Sequence, residues 1–181
     1  MSAMKKSVIL VLMIFASGSL FAQKYKSERS TVTFFSDATI EDIAATNEKS
    51  ASIFDSATGE IVFLITIMDF QFEKSLMQEH FNEKYMESEK FPKATFKGKV
   101  SGFNKAANGV QNVSAQGILT IHGQSKEIDV NGTIENNGDR LVLNSKFMVE
   151  LADFKIKIPQ LLWQNIAERV EVTLDFTYKA L

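Results

Sequence analysis

The sequence contains no cysteine, and its 181 residues include only two histidines, two prolines and one tryptophan. Without cysteine there is no disulfide staple, no thiolate nucleophile and no thiolate metal site. No cysteine is present to carry a lipid anchor at a leader junction. With His80 and His122 as the sole histidines, a zinc site built mainly from histidine and cysteine is excluded in practice, and no metal or cofactor is expected. Positive charge is not in excess either. Twenty Lys and Arg face 22 Asp and Glu, for a net charge of −2. Nucleic-acid affinity comes from neutralising phosphates, so nucleic acid is not an expected partner.

Catalytic signatures are missing too. There is no Gly-rich phosphate loop, no Gly-x-Ser-x-Gly elbow and no His-Glu-x-x-His. Neither histidine stands in a recognisable set of nucleophile, base and orienter. Asp69 interrupts an apolar stretch and Asp153 precedes Phe154. With His80 and His122 these would be the residues of an enzyme, which ranks third among the readings. Asn112-Val113-Ser114 and Asn131-Gly132-Thr133 match a glycosylation acceptor. Such tripeptides arise readily by chance, and the second falls in an expected strand.

One uninterrupted apolar run stands near the start, Val8 to Phe15, behind Lys5 and Lys6 and ahead of Ser17-Gly18-Ser19 and Ala22. That is the layout of a secretory signal peptide. A membrane anchor is the alternative, but a span needs about 20 apolar residues. Leu20 stands where a small residue is usual before cleavage. Residues 1–22 are therefore expected to be removed, leaving 23–181 as one domain in the periplasm or outside the cell. Cleavage takes away Lys5 and Lys6 and no acid, so 18 basic residues remain against 22 acidic ones, a net −4.

What the chain does have is alternation with period two, the mark of half-buried strands. Val170, Val172, Leu174, Phe176 and Tyr178 share one face, opposed by Glu171, Thr173, Asp175, Thr177 and Lys179. Val113 to Ile121, Ile128 to Ile134 and Leu141 to Leu151 repeat the pattern. His122-Gly123-Gln124-Ser125 and Asn136-Asn137-Gly138-Asp139 provide turns between them. Ala94 to Phe103 alternates as well. Glu60 to Phe72 is apolar on both faces through Met68 and so calls for cover on its outer side. Thr31 to Phe35 and a short strand at Lys24 to Lys26 bring the count to about eight, which can close into a small barrel. The polar, alanine-rich stretch from Glu41 to Thr58 is expected to be a flexible loop.

A helix is expected over Ser75 to Ser88, opened by a capping box of Ser75 and Gln78 and closed by Pro92. Met77, Phe81 and Tyr85 recur every four residues on one face, with Glu79, Glu83 and Glu87 on a solvated one. A second short helix is expected after Pro159, through Leu161, Leu162, Trp163 and Ile166. The apolar helix face and Trp163 are placed to cap a barrel end or to cover the two-sided strand.

The fold class is thus all-β with one or two short helices, a closed antiparallel eight-stranded barrel. Its expected lining is Phe35, Phe63, Ile65, Phe96, Leu119, Ile121, Val130, Leu143, Phe147, Val172, Leu174 and Phe176. Eight strands leave an interior that is either filled or holds one small ligand, and periodicity does not choose between these.

Three motifs add a resemblance. Phe81, followed after nine residues by Phe91-Pro92-Lys93-Ala94-Thr95-Phe96, resembles the central signature of the YceI-like family. Gly117-Ile118-Leu119-Thr120-Ile121-His122-Gly123 is similar to that family's Gly-x-Leu-Thr-x-His-Gly hairpin, and Phe147-Met148-Val149 with Asp153-Phe154-Lys155-Ile156 is a third match. The similarity runs from about Val32 to Tyr178. It implies a lipocalin-like barrel that is often exported and binds polyisoprenoid or other long-chain lipid in its interior. Departures are visible. Where many relatives carry a histidine and then Gly-x-Phe, this chain has Phe34-Phe35-Ser36-Asp37-Ala38-Thr39 and then Ala45-Thr46-Asn47. Where relatives carry Asp-Phe-Gly-Ile, it has Lys155 in place of the glycine. No catalytic residue carries over. The expected partner is a long-chain lipid or isoprenoid. A filled barrel serving a protein partner is the alternative, and a homodimer stays open.

Overall fold

The computed structural model describes residues 24–37, 42–157 and 167–181. The expected leader and the second helix, with Trp163, lie outside the described residues.

Among the described residues ten strands follow one another: β1 Lys24–Ser36, β2 Ile43–Asn47, β3 Ala51–Asp55, β4 Glu60–Thr66, β5 Gln71–Phe72, β6 Lys93–Ser101, β7 Gly109–Ile121, β8 Gln124–Asn136, β9 Arg140–Glu150 and β10 Arg169–Ala180. Every pairing is antiparallel. The order β10-β9-β8-β7-β6-β4-β3-β1 is closed by β1 on β10, so eight strands form the barrel wall. β2 lies beyond β3 on the same edge of β1, and β5 pairs with β2.

The wall count agrees with the sequence reading, but its membership does not. Lys24–Lys26 and Thr31–Phe35 are parts of one strand, and β3 arises inside the stretch expected to be a loop. The inward residues of β2 and β3 explain why. Ala45, Asn47, Ser52 and Phe54 are all buried, and most of them are small or polar, so no hydrophobic alternation shows. Hydrogen bonds make their burial affordable. Asn47 Nδ2 donates to the Thr66 carbonyl at 2.8 Å, and its Oδ1 accepts from Lys49 N–H at 2.9 Å and Ser50 Oγ at 3.1 Å. Asn47 thereby fixes the break between the two strands.

The helix α1 spans Ser75–His80 and continues as a π-type turn over Phe81–Tyr85. The expected capping box does not form. Lys74 is the N-cap residue, no side chain caps the helix, and Gln78 Oε1 accepts instead from Phe72 N–H at 3.3 Å. The first turn thus faces the short strand β5 rather than closing on itself. The two-sided stretch ends as a strand at Thr66 and turns through Ile67–Asp69. Val62 and Leu64 on its outer face stay exposed, with no cover among the described residues.

Candidate ligand-binding site

The barrel interior is divided along its axis. The end carrying the β8–β9 hairpin is packed solid. Phe54 meets Tyr25 and Phe103 at ring distances of 6.4 and 5.6 Å, and Phe176 meets Phe63 and Tyr178 at 4.9 and 6.1 Å. Leu141 and Ile134 complete this plug at 1% exposure. Asn136 draws the hairpin against the β6–β7 loop by donating to the Lys105 and Ala107 carbonyls, each at 2.9 Å.

The other half holds a cavity of about 340 Å³, within the range of small-molecule sites. Ten of the twelve expected lining residues face it: Phe63 and Ile65 on β4, Phe96 on β6, Leu119 and Ile121 on β7, Val130 on β8, Leu143 and Phe147 on β9, and Val172 and Leu174 on β10. Phe176 does not, because it is wholly buried inside the plug, at 0% exposure. Phe35 does not either: it points outward and is 38% exposed, and its neighbour Phe34 lines the cavity. The cause is a bulge. The β1 register shifts between Ser27 and Arg29, so the inward set changes from Tyr25 to Ser30, Val32, Phe34 and Ser36. One extra residue moves every later side chain to the opposite face.

The helix forms a lid. Met77, Phe81 and Tyr85 face the cavity, as the four-residue spacing implied, and Met86 joins them. Phe81 is gripped by three other rings. It stacks on Phe34 at 5.4 Å and meets Phe70 and Phe72 at 5.7 and 5.0 Å. Aromatic pairs in such geometries add about 0.5–1.5 kcal/mol each beyond area burial. Phe34, Phe70 and Phe72 were missed in the sequence. The parity of Val32 pointed to Phe34, but Phe70 and Phe72 follow a turn that has no period to read.

A polar clasp holds the segment after the lid. His122 Nε2 bonds Glu87 Oε2 at 2.8 Å, and its Nδ1 bonds the Phe154 carbonyl at 3.2 Å. His122 and Gly123 have φ of 49° and 71°, both left-handed, as a two-residue type I′ hairpin requires. Phe91 packs on the His122 ring at 4.4 Å. His122 thus ties the Phe91 segment, the hairpin and the turn after β9 to one another. Lys126 pairs with Asp153 beside it.

The four residues considered for catalysis do not converge. Asp69 pairs with Lys49 at 3.4 Å on the surface, His80 borders the cavity, and His122 and Asp153 belong to the clasp. Among the described residues no three of His, Cys, Asp and Glu gather as a metal site. The cavity wall offers apolar surface and shape, with few groups for chemistry.

An antiparallel barrel plugged at one end, hollow and apolar at the other and closed by a helix is the architecture of a binding barrel. The chain belongs to the family defined by the YceI-like domain, whose profile matches residues 24–178. Solved structures share the fold. A polyisoprenoid-binding domain from Saccharophagus degradans, implicated in plant cell wall breakdown, superposes with a TM-score of 0.75 at 16% identity, over 87% of this chain and 98% of that one. BcnA of Burkholderia cenocepacia gives 0.70 at 18% identity, over 82% and 95%. The Campylobacter jejuni YceI protein gives 0.60 at 17% identity, over 78% and 86%. None of the curated protein sequences is similar enough to the chain to count as a relative.

Proposed function

We propose that this protein binds one long apolar chain, a polyisoprenoid or fatty-acid-like lipid, and sequesters or carries it rather than transforming it. The observation that carries this reading is the cavity of about 340 Å³ walled by aliphatic and aromatic side chains from seven barrel strands and the lid. Each methylene moved from water into such a space contributes about 0.8 kcal/mol, so a long tail binds without a network of polar contacts. The polyisoprenoid-binding domain with the same fold lends support.

The test is uptake of a fluorescent polyene fatty acid, with farnesol as competitor. Phe147→Glu places a charge on the cavity wall and is expected to abolish uptake. Phe35→Glu, at the adjacent-looking but outward position, is expected to leave it unchanged. Full uptake by a folded Phe147→Glu variant would remove the cavity as the binding site.

Export is part of the proposal. It rests on the leader-like residues 1–22. Expression of the full chain with periplasmic fractionation and N-terminal sequencing is expected to return a mature chain beginning near Gln23. An intact N-terminus in the cytoplasm would refute it.

A further inference from the structure

The wall between β8 and β9 is only half closed. β8 pairs with β7 along its whole length, from Asn136↔Gly109 to Gln124↔Ile121, and β9 pairs with β10 from Arg140↔Lys179 to Glu150↔Arg169. Yet β8 and β9 pair with each other only from Asn136↔Leu141 to Gly132↔Ser145. Continuing that register would set Val130 against Phe147, Asp129 against Met148 and Glu127 against Glu150, and none of these pairs forms.

The ladder stops at a close approach of the two backbones. A Cβ on Gly132 would stand 2.5 Å from the Asn144 carbonyl oxygen, so β9 crosses close over β8 at the last pair. One step further, Ser145 Oγ donates to the Asn131 carbonyl at 2.7 Å. Beyond it, among the described residues, neither strand has a partner along that edge. Near the lid end the β7–β8 hairpin is tied to the turn after β9 by Lys126 with Asp153 and by His122 with the Phe154 carbonyl.

The cavity reaches this fork. Its barrel lining belongs throughout to the inward-facing set, with two exceptions, Asn131 and Asn144, and both stand at the apex. Val130 and Phe147 form apolar inner lips, while Asp129, Asn131, Asn144 and Lys146 are exposed on the outer rim. On the lid side, by contrast, the rings of Phe34, Phe70, Phe72 and Phe81 pack against one another.

We infer that the β8–β9 seam is a lateral portal, through which a single-chain amphiphile passes tail first and at which its polar end remains. The inference rests on the binding reading above. Strand edges in an otherwise closed barrel offer free N–H and C=O groups, and these suit a compact polar end group better than an apolar tail.

The chain has no cysteine, so paired cysteines can be introduced without background. Asp129→Cys with Met148→Cys, joined by a short reducible bis-maleimide, ties the seam. Glu127→Cys with Glu150→Cys serves if the first pair does not react. Lys97→Cys with Ile118→Cys, a registered outward pair, ties an intact part of the wall as control. Stopped-flow uptake and release of the fluorescent polyene fatty acid are measured before and after reduction. Tying the seam is expected to slow both rates by about tenfold or more, reduction to restore them, and the control tie to leave them unchanged. Equal rates with the seam tied would overturn the portal while the binding reading stands. No uptake by the untied, folded protein would overturn the binding reading and the portal together.

Discussion

The Tyr178 hydroxyl donates a 2.7 Å hydrogen bond to Ser52 Oγ, joining the last strand to a strand 126 residues earlier, inside the plugged end of the barrel. Ser52 Oγ donates onward to the Val62 carbonyl at 2.8 Å, and Ser52 N–H donates to Ser27 Oγ at 2.9 Å. The phenol is fully buried, and every polar atom in this chain of contacts has a partner. Burial is therefore tolerated, and the network fixes the register of β1, β3, β4 and β10 around one point.

Burial holds the Tyr178 phenol well above its ordinary value, with the Ser52 bond acting weakly in the opposite direction. The unfolded state gives up this proton near pH 10 while the folded state keeps it. The folded state then binds more protons, so stability falls as pH rises above about 10. Burial also raises Tyr25 and Tyr85 and adds to the same slope. Tyr178→Phe is expected to cost about 1–2 kcal/mol at neutral pH, from the lost hydrogen bond, and to flatten the alkaline fall. Urea unfolding at pH 7 and above pH 10 measures both. An unchanged alkaline slope would mean that the phenol ionises in the folded protein.

Lys155 has φ of 54°, in the left-handed region that favours glycine. A non-glycine residue there costs about 1–2 kcal/mol. Lys155→Gly is expected to recover part of this, about 0.5–1 kcal/mol after the entropy of glycine is counted, and to raise the thermal midpoint. A lower midpoint would show that the lysine side chain contributes more than its backbone costs.

Phe81 is the ring through which the lid grips the barrel. Phe81→Ala is expected to destabilise by about 2–3 kcal/mol, less than a fully buried phenylalanine because the site is half-exposed. Tyr85 and Met77 would lose their seating with it. Release of the fluorescent polyene fatty acid probe should quicken and hydrogen exchange over 75–86 should rise, with the plugged end unaffected. Unchanged exchange in that segment would place the anchor of the lid elsewhere.

Regular alternation made the second half of the barrel legible. β7 to β10 stand where Val113 to Tyr178 indicated, and ten expected lining residues face the cavity. The first half was less so, for two physical reasons. β2, β3 and the turn between them bury Asn47, Ser50 and Ser52 through hydrogen bonds, so their pattern reads as a loop. The bulge at Ser27 to Arg29 inverts the faces that follow it, which put Phe35 outside and Phe34 inside. The expected eight strands were reached by compensation, one strand read as two and another read as a loop. Nor could periodicity tell an open interior from a filled one. The barrel is both, because Phe54, Phe176 and Tyr178 fill one half and Gly132, Ser145 and Ala115 leave room in the other.

The most direct test of the account is mass spectrometry of an organic extract of the mature protein as purified, beside a control protein prepared identically. A long-chain apolar species enriched in this protein alone is expected, at close to one copy per chain and displaced by farnesol. A clean extract, together with no uptake of added isoprenoid or fatty acid, would contradict it and leave the cavity without its ligand.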